Sequence, residues 1–265
     1  MRRFSAAYLS ETRRGMWEDR DPLEDLSLAD RERVLDVGCG TGELTRVLRE
    51  EAGEETEIVG LDADTDLLAH VDAADHRVAG DATRLPFPDD YFDLVVCQAL
   101  LINLPDPAAA VEEFARVSSD LVSAIEPDNS AVLVESTVEA ESPLARRARD
   151  VYIEGVETDV TLGASAVDVF EEVGLDHVHS RRYEYTRSVE PPYSGAAVEA
   201  AQQKATGSRL DQQRQTLRKG GLSEVELDEL RQQWREMGRE VVEQMQAGEY
   251  ARQSVTPFFV TVGHV

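Results

Sequence analysis

From residue 33 to residue 134, short apolar runs alternate with amphipathic stretches. Runs at 34–37, 58–61, 77–79, 94–97 and 131–134 are short and rich in Val, Ile and Leu, which predicts strands. Between them, apolar residues recur at helical spacing over 44–50, 65–71 and 108–117. Strands that alternate with helices in this way predict an α/β fold: a doubly wound, mostly parallel sheet with helices on both faces.

Downstream the pattern changes. Helical spacing is expected over 144–153 and again over 164–173, where Gly174 is placed to cap the C-terminus. A strand pair, 177–186 and 255–262, is expected to close a seven-stranded sheet. Residues 189–248 are polar and helically periodic, with Ser223 and Glu226 spaced as a capping box, and read as a helical insertion before the last strand. At the start, Phe4, Tyr8, Leu9, Met16 and Trp17 suggest one or two helices. The expected organisation is therefore an N-terminal helical lid at 1–30, a core at 31–188 and 249–265, and a helical cover at 189–248.

Charge narrows the range of partners. The 265 residues hold 27 Lys+Arg against 53 Asp+Glu, a formal net charge of −26. Lys204 and Lys219 are the only lysines, and the acidic residues are spread along the chain. This composition suits a halophilic, acidic protein whose self-repulsion is screened by concentrated salt. It argues against nucleic acid as a partner, since phosphate binding needs clustered cations. Cys39 and Cys97 lie in apolar segments without metal-ligand spacing. His177 and His179 would share one strand face, but no metal is expected. Arg2-Arg3 precedes an apolar stretch too short for an export signal, and no run is long enough to span a bilayer, so a cytoplasmic location is expected.

The segment 34–42 reads VLDVGCGTG, a strand that turns through Gly38, Gly40 and Gly42 into a helix. Glycines let a ligand approach the backbone, and a helix N-terminus offers free N–H groups, so the loop alone implies a nucleotide-type cofactor. The dinucleotide fingerprint would place a third glycine where Glu43 stands, and a pyrophosphate would meet that carboxylate. Asp36, just before the loop, also favours a cofactor that carries positive charge.

VLDVGCGTGELT resembles motif I of class I S-adenosylmethionine (SAM)-dependent methyltransferases, in particular the UbiE-like, methyltransferase type 11, small-molecule branch. The resemblance runs from about residue 31 to residue 135 and implies the Rossmann-like class I methyltransferase fold. It places Asp36, Gly38, Cys39, Gly40, Thr41 and Gly42 at the cofactor. Asp62, about twenty residues beyond the loop, would take the ribose hydroxyls, with Ala63 and Asp64 beside the adenine. Asp81, Ala82 and Thr83 would follow the third strand near the adenine amino group. Gln98, in the segment 97–100, would contribute its backbone beside the methionine part. The family's Pro-Gly-Gly turn before the fifth strand is replaced here by Glu126-Pro127-Asp128-Asn129 ahead of Ala131.

What the resemblance implies is methylation (EC 2.1.1.-): the transferase would move a methyl group from S-adenosyl-L-methionine to a small-molecule acceptor by in-line displacement. The cofactor supplies the reactivity, so the protein must mainly align the partners and exclude water, and no catalytic base stands out. A non-catalytic SAM- or nucleotide-binding sensor is the alternative. Trp17 is weighed both as a pocket residue and as core, and Tyr8, Arg13 and Arg14 likewise. Tyr152 and Tyr193 are further candidates for the acceptor side. Glu190-Pro191-Pro192-Tyr193 reads as a turn, since it lies far beyond the fourth strand.

Overall fold

The protein is described by a computed structural model over residues 6–13 and 15–265. Phe4 and Arg14, and the side chain of Tyr8, lie outside what is described. In chain order the elements are α1 (Ala6–Arg13), β1 (Arg33–Val37), α2 (Glu43–Glu51), β2 (Glu57–Asp62), α3 (Thr65–Leu68), β3 (His76–Ala79), β4 (Phe92–Gln98), α4 (Pro107–Val117) and β5 (Ser118–Pro127). These are followed by β6 (Leu133–Ser136), α5 (Glu141–Gly155), α6 (Ala166–Val173), β7 (Asp176–Val189), α7 (Gly195–Thr206), α8 (Ser208–Gln212), α9 (Arg214–Lys219), α10 (Glu224–Ala247) and β8 (Arg252–His264).

Two compact units emerge. The first comprises Met1–Asp128, Leu162–Tyr183 and Pro257–Val265; the second comprises Asn129–Thr161 and Glu184–Thr256. Residues 129–161 thus group with the helical segment and not with the sheet core to which their position in the sequence pointed.

In the first unit the strands run in the order β3-β2-β1-β4-β5-β8, with β7 beside β8. β1 to β5 pair in parallel, while β8 runs antiparallel to β5 with Leu121 opposite His264 and Pro127 opposite Phe258. Val34, Leu35, Ile58, Leu94, Val95 and Val96 are buried, as interior strands covered on both faces require. The chain moves one way through β1, β2 and β3 and the other way through β4 and β5. With right-handed crossovers, this reversal puts the intervening helices on opposite faces and opens a crevice at the carboxyl ends of β1 and β4. Local chemistry agrees with the pattern: the Asp106 side chain caps α4 by accepting from Ala109 N at 3.2 Å, and Gly174, at φ +92°, ends α6.

Four expectations need correction. Among the described residues there are eight strands, not seven, and the fifth parallel strand is Ser118–Pro127, not 131–134. Its polar residues hid it. Ser118, Ser123 and Glu126 interrupt the apolar pattern, yet all three are buried between β4 and β8. The run at 131–134 supplies only the start of β6, which pairs antiparallel with the first residues of β8 in the second unit. Glu126 and Pro127 therefore end β5 instead of forming a turn ahead of it. Helix α3 is also shorter than expected, at 65–68.

The second unit packs α5, α7, α9 and α10 around Leu217, Leu227, Leu230, Met237 and Val241. The expected capping box is present: Ser223 Oγ accepts from Glu226 N at 3.3 Å, and Glu226 Oε2 accepts from Ser223 N at 2.9 Å. Within this unit the buried Glu141 carboxylate binds Lys204 and accepts from Tyr250 Oη at 2.9 Å and Ser136 Oγ at 2.6 Å. Tyr193 Oη donates to Tyr250 O, and Tyr152 packs against the helical core. Among the described residues, no helix is long and apolar enough to cross a membrane.

Candidate functional site

A cleft of about 490 Å³ opens at the carboxyl ends of β1, β2 and β4, within the size range of small-molecule sites. Gly38 and Gly40 form its floor at φ +69° and +58°, left-handed values that favour glycine. A Cβ on Gly38 would stand 2.8 Å from the Leu100 side chain, and one on Gly40 3.1 Å from Leu9. Side chains there would occupy the space through which a ligand meets the backbone. The loop is hung on β2, with Gly38 N donating to Leu61 O at 2.7 Å and Cys39 N to the same oxygen at 3.1 Å.

Asp62 ends β2 at the cleft wall. Its Oδ2 accepts from Gly40 N at 2.9 Å and its Oδ1 from Asp64 N at 2.8 Å, which fixes the carboxylate against the loop. Each oxygen retains a further lone pair, enough to receive two ligand hydroxyls. Ala63 and Asp64 line the cleft beside it, with Asp64 capping α3 by accepting from Asp66 N at 3.0 Å.

Five of the residues assigned from sequence therefore meet around one hollow: Gly38, Gly40, Asp62, Ala63 and Asp64. Others lie behind or beside it. Asp36 is buried below the loop, where its Oδ2 accepts from Thr45 Oγ1 at 2.6 Å. Burial pushes its carboxyl up to about 7 despite that hydrogen bond. Cys39 is buried against Leu68 and Val71, and burial raises its thiol far above the usual range. Thr41 donates to Glu43 Oε2 at 2.6 Å at the start of α2, for which Gly42 is the N-cap. Gln98 offers its backbone oxygen to Arg13 Nη2 at 3.4 Å, while its amide nitrogen faces Met16 Sδ.

Asp81, Ala82 and Thr83 form a turn beyond β3, where Asp81 Oδ1 accepts from Thr83 N and Thr83 Oγ1, both at 2.9 Å. None of the three is in the cleft lining. Trp17 is buried and stacks on Tyr183 with centroids 5.7 Å apart, facing a separate hollow beside α2. Arg13 borders both hollows.

The sequence pointed to the far wall only as far as the segment 97–100, and Asn103 was not signalled. Ala99, Leu100 and Asn103 complete the cleft beyond β4. Ala99 has φ +50°, and Asn103 Nδ2 donates to its carbonyl at 2.7 Å, so the Asn103 amide oxygen faces away and has no hydrogen-bond partner. Nothing in LLIN marks such a turn, since its geometry depends on a carboxylate from another strand. That carboxylate is Glu126, which accepts from Leu100 N at 2.9 Å, Leu101 N at 2.8 Å and Ile102 N at 3.4 Å.

Comparison with known proteins agrees with this geometry. Residues 35–120 match the family model described as a methyltransferase domain. A SAM-dependent methyltransferase from Archaeoglobus fulgidus aligns over 98% of this chain and 100% of its own, with a TM-score of 0.53 at 15% identity. The fold is that of a class I methyltransferase. A demethylmenaquinone methyltransferase of Bacillus licheniformis is 32% identical over 127 residues, 46% of this chain and 51% of its own. Another with that name, from Lactiplantibacillus plantarum, is 37% identical over 107 residues, 37% of this chain and 45% of its own. The chain thus spans about half the length of these curated relatives.

Proposed function

We propose that the protein is a SAM-dependent methyltransferase acting on a small-molecule acceptor. The observation that carries this reading is the convergence of the Gly38–Gly40 floor and the Asp62 carboxylate on one cleft, within a segment that matches a methyltransferase domain. Asp62 is suited to accept from both ribose hydroxyls, Ala63 and Asp64 to border the adenine, and the loop to let the methionine part lie against backbone. Bound there, SAM would supply an electrophilic methyl group. The protein's own part is to orient the donor, hold the acceptor in line and keep water out.

The names of the relatives suggest the acceptor class: a reduced naphthoquinone precursor is the first compound to test. The acidic, lysine-poor composition supports work in concentrated salt, and the excess of acidic over basic residues argues against nucleic acid. Incubation with methyl-labelled SAM and a metabolite extract in molar salt is expected to transfer label to one small compound. Asp62→Ala should weaken cofactor binding by about 1–3 kcal/mol through loss of the ribose bonds and slow the transfer. Tight SAM binding without transfer to any compound would favour a non-catalytic sensor instead.

A further inference from the structure

Glu126 is fully buried at the carboxyl end of β5, and its carboxylate faces three consecutive backbone N–H groups, those of Leu100, Leu101 and Ile102. These open the 3-10 turn Leu101–Asn103, whose own N-cap residue, Leu100, offers no side-chain hydrogen bond. First-turn N–H groups have no partner inside a helix. An apolar residue at 126 would leave three buried donors unpaired. The same turn presents Leu100 and Asn103 to the cleft, and Ala99, just before it, is held in a left-handed conformation by Ala99 N donating to Ile125 O at 2.9 Å.

The strand order sets which end of the ligand this turn meets. Asp62 ends β2, the glycine loop follows β1, Ala99 follows β4 and Glu126 ends β5, and these strands lie side by side in that order. A cofactor with its ribose at Asp62 and its chain over Gly38 and Gly40 reaches the Ala99–Asn103 turn with its amino-acid end. We infer that Glu126 is a positioning residue for that end of the cofactor, acting through the turn it caps. This rests on the methyltransferase reading of the cleft. Burial pushes the Glu126 carboxyl up to about 7 against the three N–H groups, and the titratable group nearest to it is the Cys97 thiol, 3.8 Å away on β4.

The test is calorimetric titration at pH 8 with S-adenosylhomocysteine and with 5′-methylthioadenosine, which keeps the adenosine and lacks the amino-acid end. In Glu126→Gln the Kd for S-adenosylhomocysteine is expected to rise roughly tenfold, about 1.4 kcal/mol. The Kd for 5′-methylthioadenosine should stay within about twofold, a change of less than RT. The Leu100 and Leu101 amides should exchange faster than in the wild type. Equal loss of both ligands would mean general loosening of the cleft and would overturn the inference, as would no loss of either. Should Glu126→Gln not fold, Glu126→Asp keeps the charge on a shorter arm and is expected to show the same selective loss in milder form. Failure of both to fold would make Glu126 a determinant of the fold and overturn its assignment to the ligand. A wild type that binds neither compound would defeat the methyltransferase reading itself, whereas a selective effect missing only in the variants would defeat this inference alone.

Discussion

Asp36 and Asp62 lie near the carboxyl ends of the neighbouring strands β1 and β2, and their surroundings give them different roles. Asp62 sits at the cleft with two backbone N–H groups on its carboxylate, whereas Asp36 is enclosed behind the loop, where the Thr45 hydrogen bond and the Arg13 charge offset its burial only in part. A carboxyl raised from 3.8 to about 7 by folding is protonated in the native state where the unfolded chain is ionised. Its protonated form is therefore compatible with folding below about pH 4, and stability is lost progressively as pH rises towards 7. Asp36→Asn removes this penalty, which is on the order of 4 kcal/mol at full ionisation. The melting-temperature advantage of Asp36→Asn over the wild type should accordingly be larger at pH 8 than at pH 5. An advantage that shrinks as pH rises would show that Asp36 is ionised and well solvated in the native protein.

At the scale of elements, legibility followed the match between burial and hydrophobic pattern. β1, β2 and β4 read clearly because their buried residues are apolar, and the glycine loop with Asp62 read clearly because its chemistry is local. β5 did not, because Ser123 and Glu126 are polar residues whose partners lie on other strands. The segment 97–100 was legible as a neighbour of the methionine part, but Asn103 and the shape of the turn were lost, since they depend on contacts that no local pattern records. Arg13 was weighed only among several N-terminal residues, and Leu9 was read merely as a helical apolar position. In the second unit, helix α10 was legible from its periodicity and capping box, but its tight packing on α7 was not. A Cβ on Gly238 would stand 2.3 Å from Ala205 N. Alanine would favour the isolated helix by about 1 kcal/mol, yet the clash with backbone outweighs that. Gly238→Ala is expected to lower stability by about 1–3 kcal/mol, read as a fall in melting temperature in molar salt. An unchanged or raised melting temperature would show that α7 and α10 can move apart without cost.

For the molecule as a whole, a net charge of −26 and a cofactor that carries a cationic sulfonium are compatible, while a dinucleotide adds phosphates to an already acidic protein. Around the loop the same preference appears in small: the Asp62 carboxylate lines the cleft and Glu43 opens the helix that follows the loop. In molar salt long-range repulsion is screened, so it is this local arrangement that discriminates between cofactors. Calorimetry in molar potassium chloride, with S-adenosylhomocysteine and NADH titrated separately into the intact chain, tests that discrimination directly. Saturable binding of S-adenosylhomocysteine and none of NADH is the predicted result; binding of NADH without S-adenosylhomocysteine would contradict it.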